Sequence, residues 1–484
     1  MKTIGTIEPT APGSATVVAA AVVAATIAAA AAVSGQPWLA LAALVAVVGA
    51  GAMLVYPAIA LAVLVSVAYA NLPSIAAERH DLTALGEILV PAMLAVVALR
   101  YLARGEIARD LPKLTLLLAV YVTSIAATAL WAHDVPRAFE QVVVTLKNAV
   151  IALAVIGLVT HFDRFRVAAI TLVATAGVLA GLSVLQYTTG SFHADWGGLA
   201  NATLNHIADK QDSWRLSGPL SDANFYAMIL LLALPLAVDR ALHGGAAWWR
   251  LVAAAVALVI ALAVVLTYSR GALVALAVMA VVAGWSLRAR LVPVLVLAAL
   301  VAFTATQLLS AQYGTRIVQA VADVRTMVEG TGYTEDPAVA GRVAEMRAAL
   351  AMFRDNPLLG VGFDQAEILY QDTAMMEGLM ARGSDRQAHS LYLEVLAERG
   401  LLGSALFAAL LAFALWSTSS AARLLAAAGR RSEALLARAY ATGLIGFLTA
   451  SIFLHDGYPR YFWLALALAL ALPQAAAAHL RKVT

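Results

Sequence analysis

The chain has 484 residues, of which 62% are hydrophobic and 13% charged, and its mean hydropathy is +0.84. A soluble domain of this length needs far more polar surface, so the composition excludes a soluble globular protein. The small net charge of +3 gives no reason to expect nucleic-acid binding, and the absence of cysteine excludes disulfides and thiol chemistry.

Apolar runs of roughly 17 to 22 residues recur along the chain, each long enough to cross a hydrocarbon core of about 30 Å as a helix. They do not alternate every second residue, as strands of a membrane barrel would. The polar tail Met1–Gly13 precedes the first run, which we interpret as an uncleaved membrane helix. We predict about fourteen transmembrane helices, at residues 16–34, 38–55, 57–72, 85–103, 114–131, 142–160, 167–187, 223–239, 250–268, 270–287, 291–309, 399–419, 437–454 and 461–479.

Basic residues fall in every second loop between these helices, which assigns the two sides of the membrane. The positive-inside rule places those loops and both termini in the cytoplasm, so the remaining loops face outward. The residues concerned are Arg100, Arg104, Arg109, Lys113, Arg164, Arg166, Arg240, Arg250, Arg288, Arg290, Arg423, Arg430, Arg431, Arg438, Arg481 and Lys482.

The predicted architecture is an all-α polytopic membrane protein with a helical extracytoplasmic cap between helices 11 and 12. Its predicted parts are a cytoplasmic tail at 1–14, helices 1–11 within 15–310, the cap loop at 311–389, helices 12–14 within 390–480, and a cytoplasmic tail at 481–484. Helical periodicity at Gly341–Arg354 predicts one cap helix, with Val343, Met346, Leu350 and Phe353 on one face.

Three polar groups of residues stand where the predicted helices reach the outer side. The first runs from Trp214 to Pro219, includes Arg215, and leads through Asp222 into a helix whose first turn Ser221 or Asp222 is expected to cap. The second is the break between two spans that holds Tyr268 and Arg270. The third is the point where the cap returns to the membrane, with His389 followed by Glu394.

Each of these residues also has a purely structural interpretation. Arg215 is equally compatible with an interfacial arginine, Arg270 with a charge that pairs with an acidic neighbour, and His389 with a helix cap. Their shared location at one membrane face favours a joint function. Guanidinium groups bind phosphate oxygens and do not titrate, while imidazole suits proton transfer near neutrality. The group therefore predicts a site that binds a diphosphate and deprotonates a hydroxyl.

Several motifs that would indicate other chemistry are missing from the sequence. We find no Asp-x-Asp pair, no phosphate-binding glycine loop, no dinucleotide fingerprint and no His or Cys cluster with zinc spacing. We therefore expect no metal and no cofactor, with arginines neutralising any bound phosphate.

Four stretches carry a resemblance to a known family. RLSGPLSDANFYA, LTYSRGALVAL, RDNPLLGVGFDQ and AHSLYLEVLAERGLLG resemble, in this order and spacing, the O-antigen ligase and polymerase superfamily of bacterial membrane glycosyltransferases. The resemblance covers roughly residues 200–420, while the first six helices match only in hydropathy. The chain departs from the common twelve-helix ligase in having about two more predicted helices, which leaves the acceptor open.

The resemblance implies a GT-C-like membrane fold in the bacterial inner membrane, with the active site facing the periplasm. It implies an undecaprenyl diphosphate-linked glycan as donor, and a lipid-linked glycan or lipid A-core as acceptor. Arg215, Arg270 and Arg342 would bind the donor diphosphate, and His389 would be the catalytic base of an inverting, metal-independent transfer. The activity would then rise with pH through the ordinary titration range of histidine.

Asp222, Tyr268 and Glu394 are candidates for orienting the base or binding sugars. A polysaccharide repeat-unit polymerase is favoured because family polymerases tend to be longer. A ligase acting on lipid A-core, or a protein O-oligosaccharyltransferase, is the alternative. Besides membrane lipids, polymer export and chain-length proteins are further candidate partners. An anion or solute transporter is the alternative of a different class, disfavoured because no internal repeat is evident.

Overall fold

The computed structural model describes residues 49–80, 83–104, 111–205, 213–287, 337–379 and 386–481, and residues 49–55 are helical. The helices that follow are numbered here in chain order. They are α1 Pro57–Tyr69, α2 Leu72–His80, α3 Thr83–Arg104, α4 Leu111–Thr128, α5 Val135–Leu158, α6 Phe162–Thr188, α7 Ala223–His243, α8 Ala247–Leu266, α9 Arg270–Leu287, α10 Pro337–Asp355, α11 Ala366–Met376, α12 Leu391–Ala427, α13 Arg431–Ala450 and α14 Pro459–Arg481.

Eight helical stretches in these ranges are long and apolar enough to cross a membrane, or nine if the bent pair α1 and α2 forms one span. The chain is thus a polytopic helical membrane protein, as the hydropathy predicts. The predicted helices at 16–34 and 291–309, and most of 38–55, lie outside the described residues. The count of fourteen helices therefore stays a prediction. The boundaries of the predicted parts at residues 14/15 and 310/311 and the two predicted cytoplasmic tails stay predictions as well.

Helices α7 and α14 form the centre of the bundle. Of the apolar stretch of each helix, 72% is buried in α7 and 83% in α14. Polar side chains in this interior donate to backbone carbonyls of neighbouring helices, as buried polar groups must. The Tyr69 hydroxyl donates to Ile229 at 2.6 Å, and the Tyr440 hydroxyl donates to Ala465 at 2.6 Å. These bonds join separate helices inside the hydrophobic core.

One element departs from the predicted all-α architecture. The strands β1, Asn201–Asn205, and β2, Ser213–Gly218, form an antiparallel pair in which Thr203 lies opposite Arg215. The hairpin falls in the loop between α6 and α7, which is predicted to face outward and to contain no strand. Because β2 leads directly into the start of α7, it holds Arg215 at one end of the bundle, which we call the site end.

The predicted helix at Gly341–Arg354 is confirmed as α10, in the segment 337–389 that we call the cap after its prediction. Only part of the predicted face is buried, since Val343 is buried and Leu350 is not. Leu350 is 50% exposed, whereas Ala344, Glu345, Ala348 and Met352 are buried. Alanines line the buried face of α10 where this helix packs against α12. Small side chains permit this approach, so the hydrophobic pattern of the larger residues was a poor guide.

Helix α12 begins at Leu391, earlier than the predicted span at 399–419, and is interrupted at Gly400, whose φ is +57°. At this break its backbone joins the segment after α10. Val361 donates to Ala397 at 2.9 Å, and Leu401 donates to Pro357 at 2.8 Å. A Cβ at position 400 would lie 2.4 Å from the carbonyl carbon of Leu358. Glycine is therefore required here, and the cap is bound firmly to the bundle.

Candidate functional site

Arg215 lies on β2 and is oriented by two hydrogen bonds. Its Nε donates to the carbonyl of Thr267 at 2.8 Å, and its Nη2 donates to Oδ1 of Asn224 at 2.9 Å. Thr267 belongs to the break between α8 and α9, and Asn224 is in the first turn of α7. The guanidinium thus connects two of the three polar groups that the sequence singles out.

Asp222 is the N-cap of α7, as the sequence predicts. Its Oδ1 accepts from the backbone amides of Asn224 at 2.6 Å and Phe225 at 3.2 Å. A carboxylate in this position satisfies amides that have no partner inside the helix and interacts favourably with the helix dipole. The N-cap carboxylate of Asp222 therefore fixes the start of α7, and with it the Asn224 side chain that binds Arg215.

Tyr268 and Arg270 lie at the break between α8 and α9. Tyr268 is buried and has a φ of +53°, which is unfavourable for a residue with a side chain. Its hydroxyl lies 2.9 Å from the hydroxyl of Tyr187 at the end of α6. Arg270 is the first residue of α9, three positions after the carbonyl that Arg215 binds. The fold therefore brings the chain segments of the two arginines together.

His389 precedes α12 in a left-handed backbone conformation, with a φ of +46°. Its Nε2 lies 3.4 Å from Oε2 of Glu345, a buried residue of α10. Its ring meets that of His455 edge to face, with centroids 5.6 Å apart. Such strain in a non-glycine residue persists only where the surroundings enforce it, and it is common at functional sites.

Burial, together with the positive charges of Arg342, His455 and Arg386, lowers the pKa of His389 to about 3, although the negative charge of Asp222 opposes the shift. The ring is therefore neutral at physiological pH, as a general base requires. The expected titration in the ordinary histidine range is shifted to lower pH in the free protein.

Glu394 lies one turn into α12 and contacts the loop between α13 and α14. Its Oε2 accepts from the backbone amide of Asp456 at 3.2 Å. The amide of Leu391, at the start of the same helix, donates to the carbonyl of Leu454 at 2.6 Å. These two bonds join the segment of His389 to that of His455.

Two residues of this site were missed in the sequence analysis. Glu345 could have been found because it follows Arg342 by three positions and so shares its helix face. His455 lies in the short loop HDGYPR between two spans, where titratable and aromatic residues are dense. Its ring also packs on Phe225 with centroids 5.0 Å apart. Burial lowers the pKa of His455 to about 4.

The cap is attached beside the site through α5. Arg137 forms salt bridges of 2.7 Å with Asp364 and with Glu367, and Nε2 of Gln387 donates to Glu367 at 3.0 Å. Gln387 lies two residues before His389. The position of the proposed base therefore depends on contacts between α5 and the cap.

The structure brings most of the predicted site residues together. Helix α7, helix α12 and the loop after α13 connect Arg215, Asp222, His389 and Glu394. The positive charge of Arg342 lowers the pKa of His389. The hydroxyl of Tyr268 lies against that of Tyr187. Within the described part of the chain, no three His, Asp or Glu side chains cluster as metal ligands. The roles of all these residues remain predictions.

The fold and this group of residues define a polytopic membrane protein with a polar site where its helices meet a cap. The model of one protein family, described as O-antigen ligase, matches residues 254–408. This match confirms the resemblance to the O-antigen ligase and polymerase superfamily, and it indicates a membrane glycosyltransferase of the ligase or polymerase type. It includes Arg270, Arg342 and His389. No curated protein matches the chain.

Proposed function

We propose that the protein transfers a glycan from a polyprenyl diphosphate carrier to an acceptor sugar hydroxyl on the periplasmic side of the bacterial inner membrane. The observation that carries the proposal is the position of His389. It is held in a strained conformation against Glu345 and His455, beside the helix start that orients Arg215.

His389 is the general base in this mechanism. The hydroxyl oxygen of the acceptor attacks the anomeric carbon of the donor glycan, and its proton passes to the neutral imidazole. The bond between that carbon and the diphosphate oxygen breaks, and the new bond forms on the opposite face of the sugar, so the configuration inverts. Glu345, at 3.4 Å from Nε2, is placed to orient the ring.

Arg215, Arg270 and Arg342 bind the donor diphosphate and stabilise the charge that develops as it leaves. The bonds of Arg215 to Thr267 and Asn224 support this role because they fix the guanidinium before the substrate arrives. Preorganised cations of this kind need no reorganisation in the transition state.

The favoured product is a polysaccharide built from lipid-linked repeat units. The test is transfer by the purified protein from a polyprenyl diphosphate-linked repeat unit, with either a second repeat unit or lipid A-core as acceptor. Elongated chains on the carrier would support the polymerase, and glycosylated lipid A-core would support the ligase. Transport of solute without transfer to either acceptor would contradict the proposal.

We expect the transfer to be independent of a metal, because arginines neutralise the leaving group. Turnover should survive EDTA at a concentration that strips divalent cations from the buffer. Activity that is lost on chelation and restored by magnesium or manganese would assign the leaving-group charge to a cation instead.

A further inference from the structure

A cavity of about 940 Å³ lies next to the proposed site, and His389 is not part of its wall. At the site end it is lined by His455 and Tyr458, and it continues between α1, α3 and α5 into the apolar part of the bundle. Nothing in the mechanism above assigns a ligand to it.

The walls of this cavity have two different chemical characters. Leu64 and Val67 of α1 and Leu94 of α3 contribute aliphatic surface. Helix α5 contributes polar groups that include Thr145 and Lys147. Lys147 lies twelve residues into a 24-residue helix, about 18 Å along its axis. Lys147 is exposed, as are Val143 and Leu146 on the same wall, so the cavity opens along α5 to the surface of the bundle. A ligand with both polar and apolar parts suits walls of this kind.

His455 lines this cavity and also contacts the proposed catalytic centre. One side of its ring meets His389, and it also packs against Phe225, the residue after Asn224. Its Nδ1 is buried and has no hydrogen-bond partner among the residues that the structure describes. Because burial keeps the ring neutral, it has one donor and one acceptor nitrogen, the pair of functions that a sugar hydroxyl can satisfy.

We propose that the cavity binds the lipid-linked acceptor glycan, and that His455 is a positioning residue that holds the acceptor hydroxyl toward His389. This inference rests on the proposed function and deepens it by assigning the acceptor to a place in the molecule. The polar groups of α5 suit the sugars, and the aliphatic walls suit the hydrocarbon chain of the lipid.

The first test replaces the ring nitrogens without removing the ring. His455→Phe keeps an aromatic contact with Phe225 and His389 but cannot hydrogen-bond a hydroxyl. The probe is a synthetic repeat unit on a single alkyl chain without a diphosphate, so that it can act only as an acceptor. We expect its KM and its dissociation constant to rise about 3- to 10-fold, with the donor KM unchanged. His133→Phe, at an exposed histidine, is the matched control.

A second variant displaces the ring without changing its chemistry. A Cβ at Gly457 would lie 2.6 Å from Nε2 of His455, so Gly457→Ala must shift the imidazole. We expect it to weaken acceptor binding in the same direction as His455→Phe. Gly245→Ala is the control, because a Cβ there meets no atom within 4 Å.

The cavity itself is tested on α3. Leu94→Trp narrows it and should weaken acceptor binding, whereas Leu99→Trp adds the same bulk at a position that is 56% exposed and should not. Unchanged acceptor binding in Leu94→Trp, or in both His455→Phe and Gly457→Ala, would overturn the inference. An equal loss of donor and acceptor binding would also overturn it.

Binding of the alkyl acceptor is measured without turnover, which keeps this result separate from the proposed function. A wild-type protein that binds the acceptor but transfers nothing would contradict the proposed function and leave the acceptor site standing. Normal glycan transfer by the His455→Phe variant would contradict the acceptor site and leave the proposed function standing.

Discussion

The two ends of the helix bundle both hold arginine and histidine side chains, but they hold them in different ways. At the end opposite the site, Arg240 binds Asp239 at 2.5 Å, and His243 binds the same carboxylate at 3.0 Å. At the site end, Arg137 pairs with Asp364 and Glu367, Arg215 donates to a carbonyl and an amide oxygen, and His389 contacts both Glu345 and His455.

Backbone strain shows the same difference. Five non-glycine residues in the described part of the chain have a positive φ, and all belong to segments at the site end: Asn71, Trp196, Tyr268, Asp364 and His389. Strain is kept where the surroundings enforce a geometry that the chain would not adopt alone. The opposite end thus holds one compact charged group in unstrained helix, whereas the site end holds its charged residues in segments of enforced geometry, as the proposed function requires.

The largest effect is expected at His389. If it is the general base, His389→Ala should lower turnover about 10²- to 10⁴-fold while donor binding and the melting temperature stay nearly unchanged. The measurement is glycan transfer by the detergent-purified variant beside a thermal melt of the same sample.

His389→Asn separates this role from a capping role. An asparagine can replace histidine as a hydrogen-bonding cap but cannot accept the proton. Wild-type transfer by this variant would remove His389 from the mechanism and leave the arginines as a binding site only.

The next effect concerns the arginines. Arg215→Lys keeps the charge but cannot make the bonds to both Thr267 and Asn224, and it loses the planar fork that suits a diphosphate. We expect the donor kcat/KM to fall about 10- to 100-fold. The control is Arg240→Lys at the opposite end, where a lysine still faces Asp239 and the kinetics should not change. Equal losses of donor kcat/KM in the two variants would show that the two ends of the bundle do not differ in function.

How far the site was predictable from sequence depends on what each residue needs around it. Asp222 was predictable because a helix cap is a local feature, and α10 because its period is local. Arg215 and His389 were identified by topology, since helix alternation alone places them on one side. The side chains that contact His389 were harder to predict. Glu345 and His455 come from segments about a hundred residues apart, and only tertiary packing brings both to His389.

The hairpin and the break in α12 were not predicted, and for physical reasons. The two strands have only five and six residues and lie in a loop with no other strands among its described residues, and the position of β2 depends on the start of α7. Gly400 lies inside an apolar helical pattern in which a glycine is normally tolerated. Only its close approach to Leu358 shows that the chain bends there.

The pH dependence of kcat/KM gives a further test of the site end, through the pKa of His389. Because the pKa of His389 is lowered to about 3, kcat/KM should be nearly flat from about pH 8 to pH 5, without an inflection at 6.5. A bound diphosphate stabilises the protonated ring and should raise its pKa, so the acid limb of kcat is expected at higher pH than that of kcat/KM.

Asp456, in the loop next to His455, titrates in this range and needs its own control. Burial raises the pKa of Asp456 to about 6, although Arg399 opposes the shift. An inflection near pH 6 that persists in Asp456→Asn would contradict the lowered pKa of His389. One that disappears in that variant belongs to Asp456.

The smallest effect on activity is expected at the opposite end. Asp239 is 5% exposed and accepts from Arg240 and His243, so Asp239→Asn removes the negative charge from a largely buried group of three side chains. We expect the free energy of unfolding to fall by about 1–3 kcal/mol, because hydrogen bonds to charged groups contribute about that much. Glycan transfer at a temperature well below the melting transition should remain that of the wild type. A loss of kcat in the folded variant would show that the two ends are coupled through α7, which begins at the Asp222 cap and carries Asp239 near its other end. In that case the arginines and histidines of the opposite end would belong to the function as well as to the stability of the bundle.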